Sequence, residues 1–266
     1  MTTSALLGSL AVILYLSATL LVAMRIGYNQ ANTFHRRRIL LATAAAVILH
    51  GLALGQAVIQ PSHLLFSWGI GLSTIGWASA LMLLAANLTK SIETLGLFVW
   101  PLAMVGVVAQ HLAGSPHPLP IEYGAHILLA ILAYSILGLA TAQAVLYSIQ
   151  ERHFKRHRIS QLLKALPPLT LMEKTLYQLL ILGFTTLTFA LLTGAFFVED
   201  LFAQSLIHKT FFSITAWIIY ALLLWGHFRR GWRGQKAAKA TFLAFFLLVL
   251  SYLGSQFVLE ILLNRL

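Results

Sequence analysis

Eight apolar stretches, each long enough to cross a hydrocarbon layer, run through this chain at about 4–24, 39–58, 64–86, 95–112, 125–149, 175–198, 206–227 and 240–262. Inside a bilayer no water bonds the backbone, so stretches of this length must satisfy their N–H and C=O groups internally, as helices. The sequence therefore predicts an all-α polytopic transmembrane helical bundle of about eight spans, a single integral-membrane domain over residues 1–266. Composition agrees, since 59% hydrophobic and 9% charged residues cannot coat an ordinary soluble surface. The first stretch has no cation before it and Arg25, Arg36, Arg37 and Arg38 after it. That is the reverse of a cleavable signal peptide, so the stretch reads as a retained span.

A net charge of +11 in a soluble protein would suggest nucleic acid or another acidic partner. Here the cations are distributed as topology. The loops after spans 1, 3, 5 and 7 carry 4, 1, 6 and 5 Lys or Arg, and only Lys209 and Arg265 lie on the other side. By the positive-inside rule the cationic loops face inward and both the N-terminus and the C-terminus lie outside. The longest inward loop has Ile159, Leu162, Leu163 and Leu166 at i, i+3, i+4 and i+7, the pattern of a short interfacial helix.

The chain has no cysteine, which excludes disulfides, thiolate metal sites and thiol transfer by its own residues. All seven acids lie in loops or near span ends. This argues against proton coupling through a buried carboxylate and against carboxylate-metal hydrolysis. No glycine-rich phosphate loop, HExxH, GxSxG or paired-carboxylate pattern is present, so no enzymatic turnover is expected. Histidine is the chemistry that remains.

His50 falls near the middle of span 2, roughly 13 Å below its outer end, beside a Gly51–Gly55 step that admits a close helix neighbour. A neutral imidazole there needs a carbonyl, a hydroxyl or a metal; a packing histidine and a haem-iron ligand make equal physical sense. His126 opens span 5, with Tyr134 two turns further on the same face. It reads as an ordinary interface histidine or as an outward ligand. The depth difference between His50 and His126 keeps them from sharing one iron, whose bonds to nitrogen are about 2 Å. The outward partners left for His126 are His63, His111, His117 and His208, with His208 preferred because it begins a span. His35, His153, His157 and His227 fall among inner cations and read as solvated.

Three groups of residues carry a family resemblance: the His126 to Tyr134 spacing; Pro168-Leu169 followed by Glu173, Gly183-Phe184, Leu187-Thr188 and Thr193-Gly194; and Lys209 through Gly254. The last contains Trp217, Tyr220, Gly231-Trp232-Arg233-Gly234, Ala237-Ala238 and Tyr252-Leu253-Gly254. In this order they resemble the cytochrome c assembly superfamily of haem-handling membrane proteins, the group that includes CcsA and CcmC. The likeness is greatest to short bacterial inner-membrane proteins of the YpjD type, and residues 125–254 are the most diagnostic. The resemblance implies haem b as cofactor and His50 and His126 as contacts to its iron, while His208 stays the preferred outward partner of His126 from its position alone. It further implies residence in the bacterial inner (plasma) membrane and a role in cytochrome c biogenesis or haem export. The partners would be haem, membrane lipid and other cytochrome c biogenesis membrane proteins.

Between Gly194 and Lys209 the chain has no tryptophan, where the resemblance would place a tryptophan-rich loop, and the tail Ser255–Leu266 has no histidine. The expectation therefore shifts from attachment of haem to a cytochrome toward haem binding, export or regulation. Two alternatives stay open: a haem-free scaffold or HemX-like regulator of haem synthesis, and a small-solute transporter using Gln56, Gln110, Gln143 and Gln178. The absence of cysteine makes the topology directly testable. A Ser115→Cys variant should react with a membrane-impermeant maleimide in intact spheroplasts, and a Lys236→Cys variant only after permeabilisation; the opposite pattern would invert the bundle.

Overall fold

The computed structural model describes residues 3–27, 33–59, 64–89, 92–112, 116–119, 123–155, 166–197 and 207–254. Its helices are α1 (Thr3–Gly27), α2 (Thr33–Val58), α3 (Trp68–Thr89), α4 (Gly96–Leu112), α5 (Gly124–Lys155), α6 (Leu169–Phe197), α7 (Ile207–Arg230) and α8 (Gln235–Val249). A 3-10 turn, Glu93–Leu95, leads into α4, and α8 runs into a π-helical turn, Leu250–Gly254. Among the described residues, α1 to α7 are long and apolar enough to cross a membrane, and α8 with its π turn occupies the eighth stretch. The chain is an all-α polytopic bundle. The interfacial helix expected over 159–166 lies outside the described residues apart from buried Leu166.

The chain forms two compact units, Met1–Ile121 with Arg152–Pro168, and Glu122–Glu151 with Leu169–Leu266. In the first, α3 and α4 meet backbone to backbone because small residues recur three apart on each. A Cβ added at Gly76 would lie 2.8 Å from the Ala103 Cα, and one at Gly106 would lie 2.8 Å from the Ser73 Cα. Close approach of this kind gives van der Waals packing where lipid leaves little hydrophobic drive between helices. The Gly51–Gly55 step works differently from the sequence expectation. Gly51 receives the Trp77 indole, whose Nε1–H donates to the Val47 carbonyl at 2.9 Å, and among the described residues nothing lies within 4 Å of a Cβ at Gly55. A side chain, not a helix, fills that notch.

Both ends of the first unit are tied. Strand β1 (Leu64–Phe66) pairs antiparallel with β2 (His117–Leu119), in the register Leu64 to Leu119 and Phe66 to His117. This joins the α2–α3 connection to the segment after α4. At the opposite end Glu93, its side chain only 5% exposed, accepts from Arg36 Nε at 2.7 Å and pairs with Arg25 at 3.5 Å. Arg36 also donates to the Asn87 carbonyl at 2.8 Å. Glu93 lies at a span end, as the sequence places it, and there it is a buried anchor on which two cations from α1 and α2 converge.

The second unit is built from small and branched residues at heptad-like spacing. Ala133, Leu137, Ala140 and Ala144 of α5 pack with Leu176 and Leu180 of α6, Ala216 and Tyr220 of α7, and Ala244 and Leu248 of α8. The α7–α8 turn depends on Gly231 and Gly234, at φ +63° and +67°, a region costly for residues with a Cβ. It folds Trp232 back so that its N–H donates to the Gly226 carbonyl at 3.1 Å. The Trp232 carbonyl then accepts from the Tyr177 hydroxyl and from His227 Nδ1, the latter at 3.1 Å. His227 also stacks on Tyr177 with ring centroids 3.5 Å apart. This corrects the sequence reading of His227 as a solvated residue: the reversed turn delivers a carbonyl that linear spacing does not show. Gly106→Ala should lower the thermal stability of the purified protein by about 1–3 kcal/mol, because the new methyl meets backbone, whereas Gly55→Ala should leave it unchanged.

Candidate functional site

His50 is fully buried in the first unit. Its Nδ1 lies 3.4 Å from the Tyr15 hydroxyl and its Nε2 lies 2.9 Å from Ser73 Oγ. Ser73 Oγ is 2.9 Å from Gln110 Oε1, and Gln110 Nε2 is 3.4 Å from the Ala53 carbonyl. The far end of this chain fixes its direction. A carbonyl only accepts, so Gln110 must turn its NH₂ to Ala53 and its oxygen to Ser73. Ser73 therefore donates to Gln110, and the proton facing Ser73 must sit on His50 Nε2. Nδ1 then accepts from Tyr15, whose ring stands edge-on to the imidazole at a centroid distance of 5.9 Å.

The chain crosses α1, α2, α3 and α4 and occupies both nitrogens of His50. In this arrangement His50 does not fit as an iron ligand, since ligation would first require a bond to Tyr15 or Ser73 to open. Tyr15 and Ser73 were not picked out from sequence. The available signal was a hydroxyl inside a span at a depth matching His50, and Gln110, noted only as a polar residue, proves to be the link to backbone.

His126, in the first turn of α5, is half-buried in the second unit. Its Nδ1–H donates to the Ala190 carbonyl of α6 at 2.8 Å. Gly194, one helical turn on, lies against the ring. The proton is therefore on Nδ1, and Nε2 has no hydrogen-bond partner among the described residues. An imidazole tied through one nitrogen to a carbonyl, with the other open, is the usual arrangement of a metal-ligating histidine. On this test His126 fits haem iron.

The four helices around it are joined by further polar ties. The Tyr134 hydroxyl donates to the Leu248 carbonyl at 2.8 Å, and its ring meets Tyr252 at 5.9 Å. Ser251 donates to the Lys209 carbonyl at 2.9 Å, so Ser213, 2.7 Å away, donates to Ser251. Trp217 Nε1–H donates to Thr188 Oγ1 at 2.9 Å and its ring stacks on Phe184, which assigns Trp217 to holding α6 against α7. His208 lies in the first turn of α7, in the same unit as His126, and its side chain lies outside the described residues. His111 belongs to the first unit, where its Nδ1–H donates to the Val107 carbonyl at 2.8 Å. His63 and His157, with the side chains of His35 and His117, lie outside the described residues.

Fold and site together define a polytopic helical membrane protein with one closed and one open buried-side imidazole, in separate units. Residues 59–263 match the family described as Cytochrome C assembly protein, and the chain belongs to that family. It is 25% identical over 248 residues to Inner membrane protein YpjD of Escherichia coli (strain K12), covering 88% of this chain and 91% of that protein. It is 28% identical over 131 residues to Protein HemX of Brevibacillus brevis, covering 48% of each. It is 32% identical over 80 residues to Cytochrome c biogenesis protein CcsA of Cyanophora paradoxa, covering 29% of this chain and 25% of that one. No solved structure matches it.

The hydrogen-bond chain predicts a graded response in thermal stability. Ser73→Ala leaves the Nε2–H of His50 and the Gln110 oxygen unpaired in an apolar interior and should cost about 1–3 kcal/mol. Tyr15→Phe removes a longer bond from an acceptor and should cost less. Equal losses would contradict the assigned direction.

Proposed function

We propose that this protein is a multi-pass haem-handling protein of the bacterial inner membrane, serving cytochrome c biogenesis or haem export without catalytic turnover of its own. The observation that carries the reading is His126, held through Nδ1 by a backbone carbonyl with Nε2 open. Haem b, when bound, would supply an iron for that nitrogen and a flat apolar ring suited to a helical bundle. His126 binds and orients; His208, which begins α7 in the same unit, is the second imidazole assigned to the outer face. No haem contact is assigned to His50 in its present bonds. Family membership supports the reading, as do the partial match to a cytochrome c biogenesis protein and the long match to an inner membrane protein. The second reading, a haem-free scaffold or regulator, is favoured by the lack of tryptophan between Gly194 and Lys209.

Protein purified in mild detergent from haem-replete cells should show a Soret band, with sharp α and β bands on dithionite reduction. His126→Ala should lower bound haem severalfold at unchanged expression. A featureless spectrum after haem supplementation would transfer the assignment to the scaffold or regulator.

A further inference from the structure

The surroundings of His126 select its tautomer. In an α-helix the N–H of residue 194 is directed at the carbonyl of residue 190. The Ala190 oxygen therefore receives Gly194 N–H along the helix and His126 Nδ1–H from the side, the latter at 2.8 Å. Thr193 Oγ1 approaches the same oxygen at 3.0 Å and the Phe189 carbonyl at 2.9 Å. With those directions taken, the imidazole reaches the carbonyl only by lying over residue 194. A Cβ at that position would be 2.9 Å from Cε1, 3.2 Å from Nδ1 and 3.7 Å from Nε2. The first distance is shorter than real Cβ contacts allow, and all three atoms belong to the His126 ring, so it is the imidazole that must give way. Any side chain at 194 must lift the ring off the carbonyl, and a released ring can carry its proton on either nitrogen.

We propose that Gly194 is a positioning residue for His126: its missing side chain is what holds the imidazole as the Nδ1–H tautomer and presents Nε2 as the ring's only lone pair. The identity of what Nε2 takes, the iron of a metalloporphyrin, rests on the haem reading above. The tautomer selection does not.

The test uses the full-length protein in detergent. In haem-free protein labelled with ¹⁵N-histidine, the His126 signal should report Nδ1–H in the wild type and a shift toward Nε2–H or a mixture in Gly194→Ala. In haem-loaded protein, Gly194→Ala should lower haem affinity about 10- to 100-fold, the usual effect of losing a residue that orients a ligand. It should also move ferric haem toward high spin, with added imidazole restoring the low-spin spectrum. If the wild type takes up no haem, the haem reading fails and the nitrogen spectrum alone decides the role of Gly194. If haem binds through His126 but Gly194→Ala keeps both the tautomer and an affinity within twofold, the positioning role is wrong and the haem reading stands. Should Gly194→Ala fold poorly, the double variant with His126→Ala removes the ring that the methyl meets and should recover stability. An equal loss in both backgrounds would overturn the proposal.

Discussion

An imidazole withdrawn from water among helices, wholly at His50 and partly at His126, has its proton placed by the protein groups that reach it. In both units the decision is made by a backbone carbonyl, a group that can only accept. At His50 the carbonyl of Ala53 acts at a distance, through Gln110 and Ser73, and forces the proton onto Nε2. At His126 the carbonyl of Ala190 acts directly and takes the proton on Nδ1. The same rule closes one histidine and opens the other. His50 becomes the centre of a polar staple through four helices, and His126 keeps a lone pair on Nε2 that meets no donor among the described residues.

Close approach makes both arrangements possible. Ser73 reaches His50 from a helix whose backbone is pressed against α4 at Gly76 and Gly106. His126 reaches Ala190 across Gly194. The turn between α7 and α8 uses glycine differently, through backbone conformation, and its two positive-φ glycines return the Trp232 carbonyl to Tyr177 and His227. At Gly76, Gly106 and Gly194 glycine serves instead as an absence of bulk. The ionic contacts serve a related end, since Glu93 collects Arg25 and Arg36 at one end of the first unit.

Much of the architecture was legible in the chain itself. Apolar length required helices, and the absence of cysteine and of acids within spans left histidine as the group to examine. The misreadings have a common form. His227 was placed by its neighbours in sequence, yet a turn that reverses direction brings the Trp232 carbonyl and the Tyr177 ring against it. The Gly51–Gly55 step was read as a docking surface for a helix, and a tryptophan side chain occupies it.

The sequence by itself determined the class of the molecule, because hydropathy and helical length are properties of consecutive residues and lipid leaves the backbone few alternatives. It also determined the family, because residues 59–263 match the family's sequence pattern without any reference to contacts. Tertiary structure alone decided which nitrogen of each histidine is bonded among the described residues. That depends on whether a carbonyl, hydroxyl or amide from another helix lies within about 3 Å of a given nitrogen. Such partners stand 23 residues away for His50 and 64 for His126, and no local pattern in the chain encodes their arrival.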